Sequence, residues 1–420
     1  MIVFTNKIIM KNSLFKFVLC LLLFVKTDFI LSQTVNTQLD RLGLNTITTS
    51  VPFLTIAPDS RSGGMGDVGV ATSPDANSMH WNPSKYAFAD KKVGLSVCYT
   101  PWLRALVPDI SLSYLAGYYK LNKNQVVAGS LRYFSLGDIT FTDNAGNTTG
   151  QFRPNEFAFD VAFAQKLAER WSGAMALRYI YSNLTGGTFV SGTATHPGNS
   201  VAADISTFYQ NKDIVISGKK SIVAAGLNIS NIGAKISYSG SSGKKDFIPI
   251  NMRLGSSLTM ALDDYNTISF NADVNKLLVP TPPVYDTANG GPKIGPDGNY
   301  VILSGQNPNR GVASGIFGSF NDAPGGAKEE LHEIMYSVGT EYWYDKLFAV
   351  RAGYFYEHPT KGNRKFFTVG IGIRYNVFGL DFAYLIPSKQ KNPLENTLRF
   401  SLLFDFDAFK SQNKEEVKAD

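Results

Sequence analysis

The sequence predicts an all-β fold, a 14-stranded antiparallel β-barrel that crosses a membrane and holds an N-terminal plug in its lumen. Three observations carry this: an export signal, apolar/polar alternation from residue 93 to 406, and connections that alternate between short and long. Mean hydropathy is −0.07, with 44% hydrophobic residues. Such a soluble-looking average suits a membrane barrel, because only one face of each strand meets lipid.

Lys7, Lys11 and Lys16 make a basic leader, and Phe17 to Val25 an apolar core of about nine residues. A spanning helix needs roughly 20. Cleavage is expected near Ser32-Gln33, which makes residues 1–32 a signal peptide. A lipoprotein anchor at Cys20 is disfavoured by bulky Val18 and Leu19 and by the apolar run beyond it. Cys98 is then the sole cysteine of the mature chain, which excludes a disulfide or a cysteine metal cluster within one chain. The formal charge of +6 is scattered. The doublets Lys219-Lys220 and Lys244-Lys245 read as solvated turns, and no nucleic-acid footprint is present.

Alternation sends successive side chains to opposite faces of a sheet. Phe157, Phe159, Val161 and Phe163 oppose Ala158, Asp160 and Ala162; Phe367, Val369, Ile371 and Ile373 oppose Thr368, Gly370, Gly372 and Arg374. The polar face also carries Arg178, Arg253 and Arg351 in mid-strand, which suits a wet or plugged lumen better than a sandwich core. The apolar face is rich in Tyr and Phe, as interfacial girdles require. The last strand, Leu398-x-Phe400-x-Leu402-x-Phe404-x-Phe406, resembles an outer-membrane assembly signal. A charged tail, 407–420, follows and is expected to be disordered in the periplasm.

Short connections fall at 121–124, 165–170, 262–266, 344–346 and 376–378, and long ones at 138–154, 184–199, 277–332, 358–364 and 387–395. Keeping every long loop outside requires residues 221–239 to be one strand, bent by a bulge at Gly233. The count is then 14, and both termini are expected in the periplasm. A loop as long as 277–332 is usually functional. Its apolar Ile316, Phe317 and Phe320, with Phe189 and Val190 in the 184–199 loop, are candidates for docking partners or for folding over the mouth as a lid.

Residues 33–92 do not alternate. Pro52, Pro58, Pro74 and Pro83 interrupt them, and small residues dominate 62–78. Gly64-Met65-Gly66-Asp67-Val68-Gly69 matches G-x-G-x-x-G in form, but the flanking prolines leave no strand before it and no helix after it. The segment reads instead as a compact plug. Its small residues allow close approach to the wall, and its Arg61 and Asp67 are available to charged lumen residues.

Asp59 to Ala71, with Gly64, Met65, Gly66 and Asp67 at its centre, resembles the first hatch motif of FadL-like outer-membrane barrels. Asp75-Ala76-Asn77 leading to Asn82-Pro83-Ser84 resembles the second, with serine in the usual alanine position. Gly226 to Gly233, and Phe247-Ile248-Pro249 leading to Arg253-Leu254-Gly255, are further matches. Asn45 to Asp59 is similar to the narrower PorV (LptO) family of the type IX secretion system. The resemblance implies a 14-stranded barrel among outer-membrane lipids that binds the SprA/Sov-type translocon. It also implies that the barrel collects cargo by a C-terminal signal domain and passes it to the PorU sortase attachment complex.

No catalytic site is expected. His80, His196, His332 and His358 show no metal-ligand spacing, and no G-x-S-x-G elbow occurs. Asp143, Asn144 and Asn147, and the stretch Asp286 to Asp297, offer calcium-type oxygens, although polar glycine-rich loops more often simply turn. A secretion adaptor without cofactor is the leading reading. A FadL-like transporter of hydrophobic small molecules is the alternative, and an outer-membrane lipid deacylase stands last.

Overall fold

A computed structural model describes residues 44–406 except 104–106, 108, 143–144, 188, 191–192, 240–244, 289–290, 389–393 and 395–396. The signal peptide, the tail 407–420 and the candidate calcium ligands Asp143 and Asn144 lie outside the described residues.

Fourteen strands close into one antiparallel barrel. They are β1 (Val93–Pro101), β2 (Ile110–Lys120), β3 (Gln125–Leu136), β4 (Asn155–Ala168), β5 (Trp171–Asn183), β6 (Gly198–Ile216) and β7 (Lys219–Gly233). Then follow β8 (Asn251–Ala261), β9 (Asn266–Leu277), β10 (Met335–Tyr344), β11 (Phe348–Tyr356), β12 (Lys365–Tyr375), β13 (Phe378–Pro387) and β14 (Leu398–Asp405). Neighbours in sequence pair, and β1 pairs with β14 across the seam, from Gly94↔Asp405 to Tyr99↔Phe400. Closure removes free sheet edges, the requirement for strands in lipid.

The alternation sorts side chains as their chemistry demands. Val338, Val350, Phe367, Val369 and Ile371 are exposed on the outer wall, whereas Glu341, Arg351, Thr368 and Asp381 are buried on the inner one. An apolar exterior around a polar interior is the arrangement that a bilayer stabilises.

Two details differ from the sequence expectation. The bulge in β7 lies at Asn231, and Gly233 is the last residue of the strand. Register shifts between Ala203 and Ile205 of β6, and Asn231 takes the extra position at φ 62°. Asparagine tolerates that left-handed conformation. Its N–H donates to Asp204 (2.8 Å) and its Nδ2 to the Pro249 carbonyl (2.8 Å), which fixes the bulge.

The second difference is the path before β1. The Asn45 N–H donates to the Thr360 carbonyl (2.9 Å) and its Nδ2 to Glu329 (2.8 Å), so residues 44–50 sit among the long loops. Lys92, at the other end of the segment, accepts from the Lys120 N–H beside the short β2–β3 turn. The chain therefore runs through the lumen from the long-loop end to the short-turn end. Counting strands places the start of β1 and the end of β14. Residue 44 therefore lies at the long-loop end and the start of β1 at the short-turn end, while the N-terminus itself lies outside the described residues.

The interior has three layers. Towards the long loops, Val51, Phe53 and Leu54 pack with Leu112, Phe134, Ile180, Phe247 and Ile248 into an apolar core. Below it, at mid-height, lie the buried charges, among them Arg178, Asp204, Arg351 and Asp381, and towards the short turns Met79, Tyr86 and Ala89 pack with Tyr118, Val126 and Ala164 into a second apolar cluster.

This path is directly testable. Cys98 is buried, so single introduced cysteines report cleanly. Leu44→Cys and Phe317→Cys should label with an impermeant maleimide from the same side of the membrane, and Lys123→Cys only from the other. Labelling of residue 44 together with residue 123 would contradict the threaded path.

Candidate functional site

The inner site is the interface between residues 51–89 and the wall. The segment takes short helical pieces: a 3₁₀ turn at Pro52–Thr55, α1 (Ser60–Gly63), α2 (Ser78–Trp81) and a 3₁₀ helix at Pro83–Phe88. Asp59 caps α1 through the Ser62 N–H (2.9 Å) and also accepts from Trp81 Nε1 (2.6 Å). Asn82 caps the last piece at the Ser84 N–H (3.1 Å), and Pro83 opens it, where a missing N–H costs nothing. The Asn82 Nδ2 donates to the carbonyls of Val70 (3.1 Å) and Thr207 (3.0 Å), so one side chain ties the segment to itself and to β6.

Arg61 lies in a chain of alternating charges. Its Nε and Nη2 donate to Glu341 (2.9 and 2.7 Å), and its Nη1 to Asp75 (2.9 Å). Glu341 also accepts from Arg351 Nε (2.7 Å), and Arg351 reaches Asp381 (2.9 Å), which accepts from Arg374 (2.7 Å). Three guanidiniums and three carboxylates therefore balance. Asp67 pairs with Arg399 of β14. A second cluster joins Arg178 to Asp160 and Asp204 within the wall.

The glycine-rich stretch has a structural purpose. Asp273 of β9 accepts from the N–H groups of Gly69 (2.8 Å) and Val70 (3.0 Å), so consecutive backbone donors hold a wall carboxylate. Gly66 sits at φ 71°, and a Cβ there would meet the Tyr354 backbone at 2.6 Å. A Cβ on Gly353 would meet the Met65 backbone at 2.0 Å, so the two glycines let segment and wall touch main chain to main chain. Gly64 packs against Gly370 in the same way. His80 accepts from Arg132 at Nδ1 (2.6 Å), and its Nε2 has no partner among the described residues.

A cavity of about 240 Å³ lies between Arg61, Ala71 and Ser73 of the segment and the inner faces of β6 to β10, including Gln210, Ile222 and Trp343. It reaches Lys346 in a short turn.

The outer-loop candidates divide. Loop 278–334 contains two-stranded pieces (Val284–Tyr285 with Ile302–Ser304, and Thr287–Ala288 with Gly291–Pro292), then α3 (Val312–Gly318) and α4 (Ala327–His332). Ile316 of α3 packs against the apolar core, whereas Phe317 is 79% and Phe320 49% exposed. Phe189–Val190 pairs with Thr193–Ala194. Asp286 pairs with Lys293 and Asp297 accepts from Asn299 (2.9 Å), so both carboxylates are engaged within the loop.

Buried ion pairs fix α4 to the mouth. Lys276 holds Glu330 (3.0 Å) and Glu333, and Lys361 holds Glu333 (3.0 Å) and Glu329. His332 and His358 stack with ring centroids 3.5 Å apart. Partial burial, and then neighbouring Lys328 for His332 and the facing His332 for His358, push both imidazoles below the ordinary histidine value. Burial raises Glu329, but the hydrogen bonds from Lys361, the Gly325 N–H and Asn45, with the Lys361 charge, together outweigh it and hold the carboxyl below its usual range.

Glu341, Asp273 and Asp381 were not singled out in the sequence, although each occupies an inward position by strand parity. Glu341→Gln would leave Arg61 and Arg351 short of a shared counter-charge. It should destabilise the folded barrel by about 3–5 kcal/mol in denaturant unfolding.

The depressed histidine and Glu329 values favour docked α4 only while the imidazoles are neutral and the carboxyl ionised. Docking should weaken as pH falls from 6.5 through 4.5. Hydrogen exchange of residues 327–333 should be faster at the acid end, and pH-independent exchange would contradict this.

Solved outer-membrane barrels give low-identity likenesses. The Ralstonia pickettii toluene transporter TbuX is 12% identical, with 84% of this chain and 98% of that chain covered and a TM-score of 0.43. The Pseudomonas putida toluene transporter TodX is 13% identical, with 81% and 95% covered and a TM-score of 0.43. A Pseudomonas aeruginosa FadL homologue is 11% identical, with 86% and 99% covered and a TM-score of 0.42. No curated protein matches. The family model for the type IX secretion system protein PorV matches residues 38–284, more than half of the chain, and the chain accordingly belongs to the PorV family, an outer-membrane component of that secretion system.

Proposed function

We propose that this barrel works by docking. It binds the SprA/Sov-type translocon and the C-terminal signal domain of cargo proteins, and delivers cargo to the PorU sortase attachment complex without chemistry of its own. Its long loops face outward and its short turns face the periplasm. The observation that carries this reading is the filled lumen. An apolar core closes the long-loop end, ion pairs tie the threaded segment to the wall, and a second apolar cluster packs it towards the short turns. A component closed in this way is suited to act through its surface.

Phe317 of α3 and Phe320 just beyond it are exposed aromatic groups on a loop fixed by buried ion pairs, and aromatic side chains on a rigid support are common binding anchors. Phe189 and Val190 belong to the same proposal through their loop. Arg61, Gly64, Met65, Gly66, Asp67, Asp75, Asn82 and Pro83 act as the hatch that keeps the barrel closed.

The alternative, FadL-like transport of hydrophobic molecules, is favoured by the cavity of about 240 Å³. That route ends at the Arg61–Glu341 pair, so transport would require a buried ion pair to open.

Affinity purification from native membranes in mild detergent separates the readings. A very large barrel, or a protein ending in a secretion-type C-terminal domain, should co-purify in stoichiometric amount. Recovery of the barrel alone with bound lipid would favour transport. The double substitution Phe317→Ala/Phe320→Ala should leave heat-modifiable migration intact and abolish surface display of cargo; normal display would remove these residues from the proposal.

A further inference from the structure

We propose that one half of the short-turn rim is a binding surface for anionic phospholipid headgroups. It rests on the orientation given above, with the short turns at the phospholipid leaflet of the outer membrane.

The rim is electrically divided. Residues 90–92, 120–124, 166–170 and 212–220, which serve β1 to β7, hold nine Lys or Arg and three Asp or Glu. Residues 262–266, 344–347, 374–378 and 405, which serve β8 to β14, hold four acidic and two basic residues. Lys91, Lys92, Lys123, Lys212, Lys219 and Lys220 are exposed. The acidic neighbours do little to neutralise them. Lys91–Asp405 (3.4 Å) and Lys212–Asp90 (3.8 Å) are surface pairs whose side chains remain largely solvated.

Position identifies the partner as lipid. The outward wall next to this half ends in exposed Tyr119, Leu167, Trp171 and Val215. Aromatic and apolar residues at that level mark the boundary of the hydrocarbon, and headgroups lie immediately beyond it. Lys92 Nζ lies 5.4 Å from the centre of the Tyr119 ring, so cation and girdle are adjacent. The hairpin between β6 and β7 extends the patch, because β6 pairs with β5 only as far as Tyr209 and continues to Ile216. Screening over about 8 Å keeps the basic and acidic halves from cancelling across the rim.

The test uses the full mature barrel in nanodiscs of equal dioleoyl phosphatidylcholine and dioleoyl phosphatidylglycerol. Retained lipids are counted by native mass spectrometry after transfer to mild detergent. The wild type should retain phosphatidylglycerol over phosphatidylcholine by about five-fold. The variant with Lys91, Lys123, Lys212 and Lys220 all replaced by Gln should lose that preference while keeping heat-modifiable migration. Asp263→Asn/Asp264→Asn on the acidic half should keep it. Equal retention of both lipids by the wild type, or an unchanged preference in the quadruple variant, would overturn the proposal. Equal retention would give the basic half to an acidic periplasmic protein instead. The lipid count does not depend on which way the barrel faces, so labelling of Lys123→Cys from outside intact cells would refute the orientation separately.

Discussion

The Glu341 carboxylate, shared between Arg61 of the threaded segment and Arg351 of the wall, is the contact on which the interior depends. Charges this deeply buried are tolerable only when each is matched and hydrogen-bonded. Matching here requires both the segment and the wall. Without Arg61, Glu341 and Asp75 lose a shared cation; without the wall, Arg61 would be an uncompensated charge in a narrow lumen. The segment and the barrel are therefore parts of one electrostatic unit, although 280 residues separate Arg61 from Glu341 in sequence.

The layered interior follows from the same logic. Apolar packing at the two ends is non-directional and fills whatever volume is enclosed there. Paired charges and capped turns between them are directional, and they set the register of the segment against particular strands. Asn82, Asp273 and Gly353 each act at one position only, by a hydrogen bond or by the absence of a side chain. The apolar layers thus supply bulk and the polar layer between them supplies alignment.

The wall was legible in the sequence because period-two alternation reports burial residue by residue, and loop parity resolved the β7 ambiguity. The location of the bulge was not legible. Gly233 was the obvious residue for an irregular backbone, but Asn231 holds it because its side chain and N–H bond to Pro249 and Asp204, contacts that no local pattern reveals. The direction of the N-terminal segment was equally hidden, since proline and glycine spacing carries no information about which end of a barrel is entered first. In the long loop, apolar content was legible but its division was not. Ile316 and Phe317 are adjacent in sequence and face opposite ways.

The seam between β1 and β14 carries a consequence for assembly. Arg399 and Ser401, both on β14, are the residues that grip Asp67 and Ser60 of the segment. The last strand to be exported is thus the one that completes both the ring and the grip on its contents. The contacts of Arg399 and Ser401 with the segment exist only once β14 is in place, so the hold on the segment is complete only in the closed ring. Ring closure and the full grip on the filling therefore depend on the same strand, and the segment that precedes β1 is held in part by the strand furthest from it along the chain.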